Sequence, residues 1–198
     1  MADNMKKIAE GAEAKIYKVN IFETDMILKN REAKNYRIKK LDEELRRKRT
    51  RMEARVMSRV NDAGIAAPRV IAVGKYSIYM ELLKGVLMKD MKLNKQLMRK
   101  VGKSLAKLHD NDVVHGDFTP ANIIVNRGRV IVFDFGISEI SNGIEEKALD
   151  VLLMKRSLRE NMYYEFIKGY DTYQKSRTIL RRLRSIEERG RYQSRTLS

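Results

Sequence analysis

Short alternating or blocky apolar runs mark strands at 5–9, 14–19 and 26–29, the period-two signal of a half-buried sheet. From Asp42 to about Asn61 the period lengthens to that of a helix, with Leu45, Met52, Val56 and Val60 on one stripe. Asp42, Glu43 and Glu44 stand at the end where the helix dipole favours acids, and Ala63 and Gly64 supply the stop. Pro68 opens two further alternating runs, 69–73 and 76–82, which predict an antiparallel pair turning at Gly74 and Lys75. Asn94 is placed to cap a helix reaching His109, with Leu97, Met98, Val101, Leu105 and Leu108 facing inward. Apolar runs at 123–125 and 130–133 flank Asn126, Arg127 and Gly128, a hairpin signature. Beyond Gly143, Leu149, Leu152, Leu153, Leu158, Tyr163, Phe166 and Ile167 recur at helical spacing, and Ile179, Leu183 and Ile186 predict a last helix that gives way at Gly190 to a polar tail. A strand-rich first part with one main helix, followed by a mostly helical remainder, reads as an α+β protein.

The chemistry sits on the predicted hairpin. Asp117 lies five residues before Asn122, and Asp134 follows twelve residues after that. A hairpin over 123–133 brings Asn122 back beside Asp134, so two hard oxygen ligands of the kind magnesium takes share one edge. Asp117 supplies the carboxylate that phosphoryl transfer needs near the incoming oxygen. Together His115, Asp117, Asn122 and Asp134-Phe135-Gly136 resemble the protein-kinase pattern H-x-D-x-x-x-x-N followed by D-F-G, with Gly116 where protein kinases usually carry Arg. The plain alternative is that His115 and Asp117 cap a hairpin and Asp134 ends a strand.

Composition narrows the setting. The 198 residues, 43% of them hydrophobic, can form one domain or two small lobes with a real core. There is no cysteine, and His109 and His115 are the two histidines, so a disulfide, a thiol nucleophile and a cysteine-bearing zinc site are excluded. No apolar run is long enough to span a membrane and the start lacks the apolar segment of a secretory signal, which leads us to expect a cytoplasmic chain. The net charge of +16 makes nucleic acid or an acidic partner plausible. Residues 29–59 hold thirteen cations against five acids, and 175–198 eight against two; a solvated basic face is the competing reading for both.

Kinase order assigns the remaining positions. Gly11, in the turn between the first two strands, matches a glycine of a phosphate-covering loop, although a G-x-G-x-x-G pattern is missing. Lys29 closes the run Met26-Ile27-Leu28 as a phosphate-contacting lysine would, with Lys34 competing for the role. Glu53 borders the apolar stripe of the first helix and can reach Lys29, or else pair with Arg49 on the surface. His109 reads as a helix-end capping or packing residue. Met80-Glu81-Leu82-Leu83, before Gly85, sits where a kinase chain passes between lobes, so the backbone at Glu81 would meet adenine. Division into lobes 1–84 and 85–198 follows. Only fourteen positions separate Gly136 from Asp150, with no A-P-E sequence, which leaves no room for a regulated activation loop.

Nearly the whole chain is similar to one family, the small kinase-like ATPase subunit of the KEOPS (EKC) complex. The similarity runs through Gly11-Ala12-Glu13-Ala14, Lys29 with Lys34 and Tyr36-Arg37, Leu41-Asp42, Arg49-Thr50, Glu53-Ala54, His115-Gly116-Asp117, Asn122, Asp134-Phe135-Gly136, Glu146-Lys147-Ala148 with Asp150, and Arg189-Gly190-Arg191. It implies a minimal bilobal kinase-like fold, with an N-terminal antiparallel sheet carrying one main helix and a mostly helical C-terminal lobe. It also implies ATP and Mg2+ as cofactors. Lys29 would hold the phosphates, Glu53 fix Lys29, Asp117 act as base or position water, Asn122 and Asp134 hold magnesium, and Asp150 brace the catalytic loop. The implied partners are the threonylcarbamoyl-transferase subunit, the other KEOPS subunits and tRNA, the last through the basic tail. The implied activity is Ser/Thr-type phosphorylation or ATP hydrolysis in support of threonylcarbamoyl modification of tRNA adenosine. Two features depart from the family: the loop Phe118-Thr119-Pro120-Ala121, and a less basic tail after Arg191. Thr119 also replaces the phosphate-contacting lysine of Ser/Thr kinases, so water is expected to compete well as acceptor. An aminoglycoside-type small-molecule kinase, which shares H-G-D, would need an acidic C-terminal pocket; a non-catalytic RNA-binding scaffold would be indifferent to Asp117→Ala.

Overall fold

A computed structural model describes residues 5–195, with side chains as far as Arg189. Its first half is a five-stranded antiparallel sheet made of β1 (Met5–Glu10), β2 (Lys15–Ile21), β3 (Thr24–Asn30), β4 (Val70–Val73) and β5 (Ser77–Glu81), in the order β1-β2-β3-β5-β4. Between β3 and β4 runs α1 (Lys39–Asp62). Val56, Met57 and Val60 of α1 and Ile78 of β5 are at most 1% exposed and join the core. The buried face of α1 is not the predicted stripe alone: Leu45 and Met52 are half-buried, whereas Thr50 and Glu53 are fully buried. Glu53 turns inward to Lys29 and Arg31, while the Thr50 hydroxyl donates to the Arg46 carbonyl of its own helix at 2.8 Å. Gly64 ends α1 as foreseen, at φ +67°, with Gly64 N–H donating to Asn61 and Ile65 N–H to Val60. That is the double bond of a Schellman cap.

The second half begins with β6 (Val86–Leu87) and α2 (Lys95–Asp110), whose first turn is capped by the Asn94 side chain accepting the Leu97 N–H at 2.9 Å. β7 (Val113–Val114) pairs with β10 (Glu139–Ile140), while β8 (Ile123–Asn126) and β9 (Arg129–Val132) form the predicted hairpin and β6 adds beside β8. Arg127 and Gly128 both have positive φ, as a type I′ hairpin turn requires. Three helices follow: α3 (Ile144–Arg156), α4 (Glu160–Tyr170) and α5 (Ser176–Arg195). One continuous cluster of buried side chains runs from α1 and β5 through α2 and the hairpin to Leu183 of α5.

One expectation is corrected. The last helix does not give way at Gly190 but continues to Arg195. A single glycine costs about 1 kcal/mol in a helix, too little to stop one anchored by Ile179 and Leu183; the tail beyond 195 lies outside the described residues. Of the two readings of His109, capping or packing, packing is the one it takes. It is fully buried, with Nδ1 2.7 Å from the Tyr170 hydroxyl and Nε2 3.2 Å from Asp150. Burial pulls its pKa below the ordinary value despite Asp150, so the ring is neutral, accepting from Tyr170 and donating to Asp150. Among the described residues no helix is long and apolar enough to cross a membrane.

Candidate active site

The loop after β7 is held from behind. Asp150 of α3, fully buried, accepts the backbone N–H of His115 at 2.7 Å on one oxygen and that of Gly116 at 2.8 Å on the other. Gly116 has φ +82°, and a Cβ there would lie 2.9 Å from the Ile137 carbonyl oxygen. The arginine of the usual kinase pattern could not stand at this position without moving backbone. His115 Nε2 donates to the Phe133 carbonyl at 3.1 Å, and Nδ1 accepts the Asp117 N–H at 3.3 Å. Burial lowers the His115 pKa, outweighing nearby carboxylates, so the ring is neutral and this pair of bonds fixes its tautomer.

Asn122 closes a short turn opened by Pro120. Its amide nitrogen donates to the Asp117 carbonyl at 2.9 Å and to Asp117 Oδ2 at 2.8 Å. Both partners are acceptors, so the nitrogen must face them, and the amide oxygen is left for a ligand. The Phe133 N–H donates to the Asn122 carbonyl at 3.0 Å, which brings Asp134 alongside Asn122 as the hairpin argument required. Asp134 itself takes φ +62°, a conformation few non-glycine residues adopt.

Lys29 of β3 links the halves. Its Nζ lies 2.7 Å from Glu53 Oε1 and 2.7 Å from Asp134 Oδ1. Lys29 and Glu53 are buried, whereas the Asp134 side chain is half exposed. Burial alone would raise the Asp134 pKa; the Lys29 charge and hydrogen bond outweigh it and hold the carboxyl below its usual range. Lys34, the competing lysine, does not enter this group, and Arg49 pairs with Glu13 rather than with Glu53. Sequence reasoning missed Arg31. It is 1% exposed, and its Nη2 lies 2.6 Å from Glu53 Oε2. The available signal was its spacing, two residues beyond Lys29 along the same strand direction and therefore on the same face.

These groups stand at the polar end of a cavity of about 640 Å³ whose walls include Ile16, Ile27, Met80, Leu82, Leu87 and Ile124. Glu81 and Gly11 also line it. The Gly11 N–H is tied to the Ala14 carbonyl at 2.9 Å, and a Cβ at Gly11 would meet nothing nearer than 3.7 Å. Space is therefore open over the cavity mouth at Gly11. Glu13 anchors the same turn through Arg37 and Arg49. No group of three or more His, Cys, Asp or Glu side chains among the described residues could cage a metal alone. A carboxylate and an amide oxygen beside an open cavity suit magnesium that arrives with phosphate oxygens completing its shell.

Fold and site together define a protein of the kinase-like class. The Rio2 kinase from Chaetomium thermophilum, in a structure described as an ADP/Mg2+-phosphoaspartate complex, superposes with a TM-score of 0.68 at 17% identity, covering 96% of this chain and 72% of that one. A profile of the RIO domain matches residues 4–175, and the chain belongs to that family of atypical kinases. Within it, a probable serine/threonine-protein kinase BUD32 homolog of Archaeoglobus fulgidus is 39% identical over 94% of this chain and 96% of its own length. KEOPS complex subunit Bud32 of Pyrococcus abyssi is 35% identical over 97% of this chain and 98% of its own. A probable bifunctional tRNA threonylcarbamoyladenosine biosynthesis protein of Methanobrevibacter smithii is 34% identical, and there the match spans only 37% of the longer protein. The family suggested by the sequence resemblance is the one these relatives occupy.

Proposed function

We propose that the chain binds Mg-ATP in the cleft between lobes 1–84 and 85–198 and transfers the γ-phosphoryl group, as the kinase-like subunit of a cytoplasmic KEOPS complex supporting threonylcarbamoyl modification of tRNA adenosine. The observation that carries this is that Lys29, Asp117 and Asp134 line one cavity, with Asn122 bonded to Asp117 behind them and apolar walls from Ile16, Ile27, Met80, Leu82 and Ile124. The apolar walls suit adenine, with backbone groups near Glu81 at their edge. Lys29 turns from Asp134 to the phosphates while Glu53 keeps its orientation. Asp117, steadied by Asn122, orients the attacking oxygen and takes its proton. Asn122 and Asp134 would hold magnesium, whose chemistry here is to neutralise charge on the phosphoryl oxygens.

Two features favour water or a partner-presented hydroxyl over a free peptide. Thr119 offers no cation to a peptide-bound phosphate, and the seven residues 137–143 lead directly into α3 without an activation segment. The test is ATP turnover by the wild type and Asp134→Ala, alone and with the transferase subunit plus tRNA. The expected result is Mg-dependent phosphate release that rises with the partners and falls at least about a hundredfold in the variant. Equal turnover by both proteins overturns the reading, and strong peptide phosphorylation with negligible phosphate release overturns the preference for water.

For tRNA, the support is a row on the outer face of α1. Arg47, Arg51 and Arg55, four residues and thus about 6 Å apart, are exposed and form no ion pair among the described residues, and Lys48 lies beside them.

A further inference from the structure

Four charges meet at the inner end of the cavity: Lys29 and Arg31, Glu53 and Asp134. Glu53 is shared, one oxygen to each cation. The guanidinium is a poor device for stability, because Nε and Nη1 are buried without a hydrogen-bond partner and Glu53 takes only one of its nitrogens. A buried arginine so incompletely satisfied costs free energy that an apolar side chain would not. Its backbone is fixed nonetheless, the N–H donating to the Tyr76 carbonyl at 2.9 Å and the carbonyl accepting from Arg46 Nη1 at 3.2 Å.

We propose that Arg31 is a positioning residue that neutralises Glu53 and thereby leaves the Lys29 charge available to the nucleotide phosphates; this rests on the phosphoryl-transfer reading above. Once Asp134 is committed to magnesium, the local charges are Lys29, Arg31 and Glu53, a net of one positive. Without Arg31 the carboxylate 2.7 Å from Lys29 cancels the ammonium, and the protein side chains here offer the phosphates no net positive charge beyond what the magnesium itself would bring. The same bond to Oε2 fixes the rotation of the carboxylate and keeps Oε1 on Lys29.

The test is calorimetry on the full chain with two ligands, Mg-ATP and adenosine, which lacks phosphates. Arg31→Gln should weaken Mg-ATP about tenfold or more and leave adenosine within about twofold. Arg31→Lys keeps the charge and should stay within about threefold of wild type for both. Arg31→Gln with Glu53→Gln removes the carboxylate along with its neutralising partner, so Mg-ATP binding should rise above that of Arg31→Gln, short of wild type because Glu53 no longer holds Lys29. A merely structural role predicts the opposite: adenosine binding falls with Mg-ATP, and the double variant is worse than the single one. Either of those results, or unaltered Mg-ATP binding by Arg31→Gln, overturns the proposal alone. If Arg31→Gln does not fold, the lysine variant carries the test, and a loss of Mg-ATP affinity beyond about threefold in it overturns the proposal. Failure of the wild type to bind Mg-ATP overturns the phosphoryl-transfer reading itself, and this proposal with it.

Discussion

Asp150 shapes the candidate site without facing the cavity. It accepts three donors, the N–H groups of His115 and Gly116 and the His109 ring, and asparagine can accept on only one of its two atoms. Asp150→Asn should therefore cost about 2–3 kcal/mol in urea unfolding, from lost charge-assisted bonds and a donor facing a donor. Turnover should fall while adenosine binding persists; unchanged stability would show that the loop does not lean on this carboxylate. The two histidines carry a pH signature. Both are buried and neutral, with pKa values pulled below the ordinary 6.5. Below that value the unfolded chain takes up protons that the folded chain refuses, so stability is full above pH 6.5 and declines as pH falls. Denaturation at pH 7.5 and 5.5 should differ by about 1 kcal/mol per histidine, and a flat profile would mean that the rings protonate in place. Asp117, Asn122 and Asp134 were legible because each lies at a fixed offset along a turn or hairpin. The His109 pairing was not, since it depends on Tyr170 and Asp150, far along the chain and joined only by packing. Asp150 entered through the family resemblance, and Arg31 escaped because a basic residue next to a strand end is ordinarily solvated.

Among elements, α2 and α4 approach each other closely. A Cβ on Gly102 would lie 2.0 Å from the Phe166 carbonyl oxygen, and one on Gly169 would lie 2.0 Å from that of Arg99. The two helices meet backbone to backbone at both glycines. Gly102→Ala must push them apart, a loss of about 2–3 kcal/mol or more by the usual cost of overpacking. Gly64→Ala has open space around it and only the strain of φ +67° to bear, about 1 kcal/mol. Chemical unfolding of the two variants should rank them in that order, and equal losses would refute the close approach. Strands, the Asn94 cap, the Gly64 stop and the hairpin turn were all readable, since each is decided within a few residues by period, capping chemistry or positive φ. The mate of each glycine in the helix contact was not. Nor was the passage of α5 through Gly190, because tertiary anchoring by Ile179 and Leu183 overrides a local breaker.

At the scale of the molecule, the charge of +16 has an uneven distribution. On α5 two cations are engaged, Arg182 and Arg189 reaching Glu145 of α3, and the helix itself belongs to the core through Ile179 and Leu183. Removing residues 175–195 would strip the core along with the cations, so a truncation there cannot separate RNA contact from folding. The outer row of α1 can be altered without that ambiguity, because Arg47, Arg51 and Arg55 are exposed and point away from Glu53 and the cavity. If all three touch phosphates, changing them together to glutamine should weaken tRNA binding and reduce the slope of log affinity against log salt by about 0.7 to 0.9 per lost contact, roughly two units in all. Mg-ATP affinity and thermal stability should stay at wild-type values, since surface charges this far from the cleft are largely screened at ordinary ionic strength. An unchanged slope in the assembled complex would return this face of α1 to ordinary solvated surface and direct the search to exposed cations elsewhere, such as Arg177, Arg181 and Arg184 on α5. A fall in affinity at unaltered slope would instead mark contacts other than phosphate neutralisation.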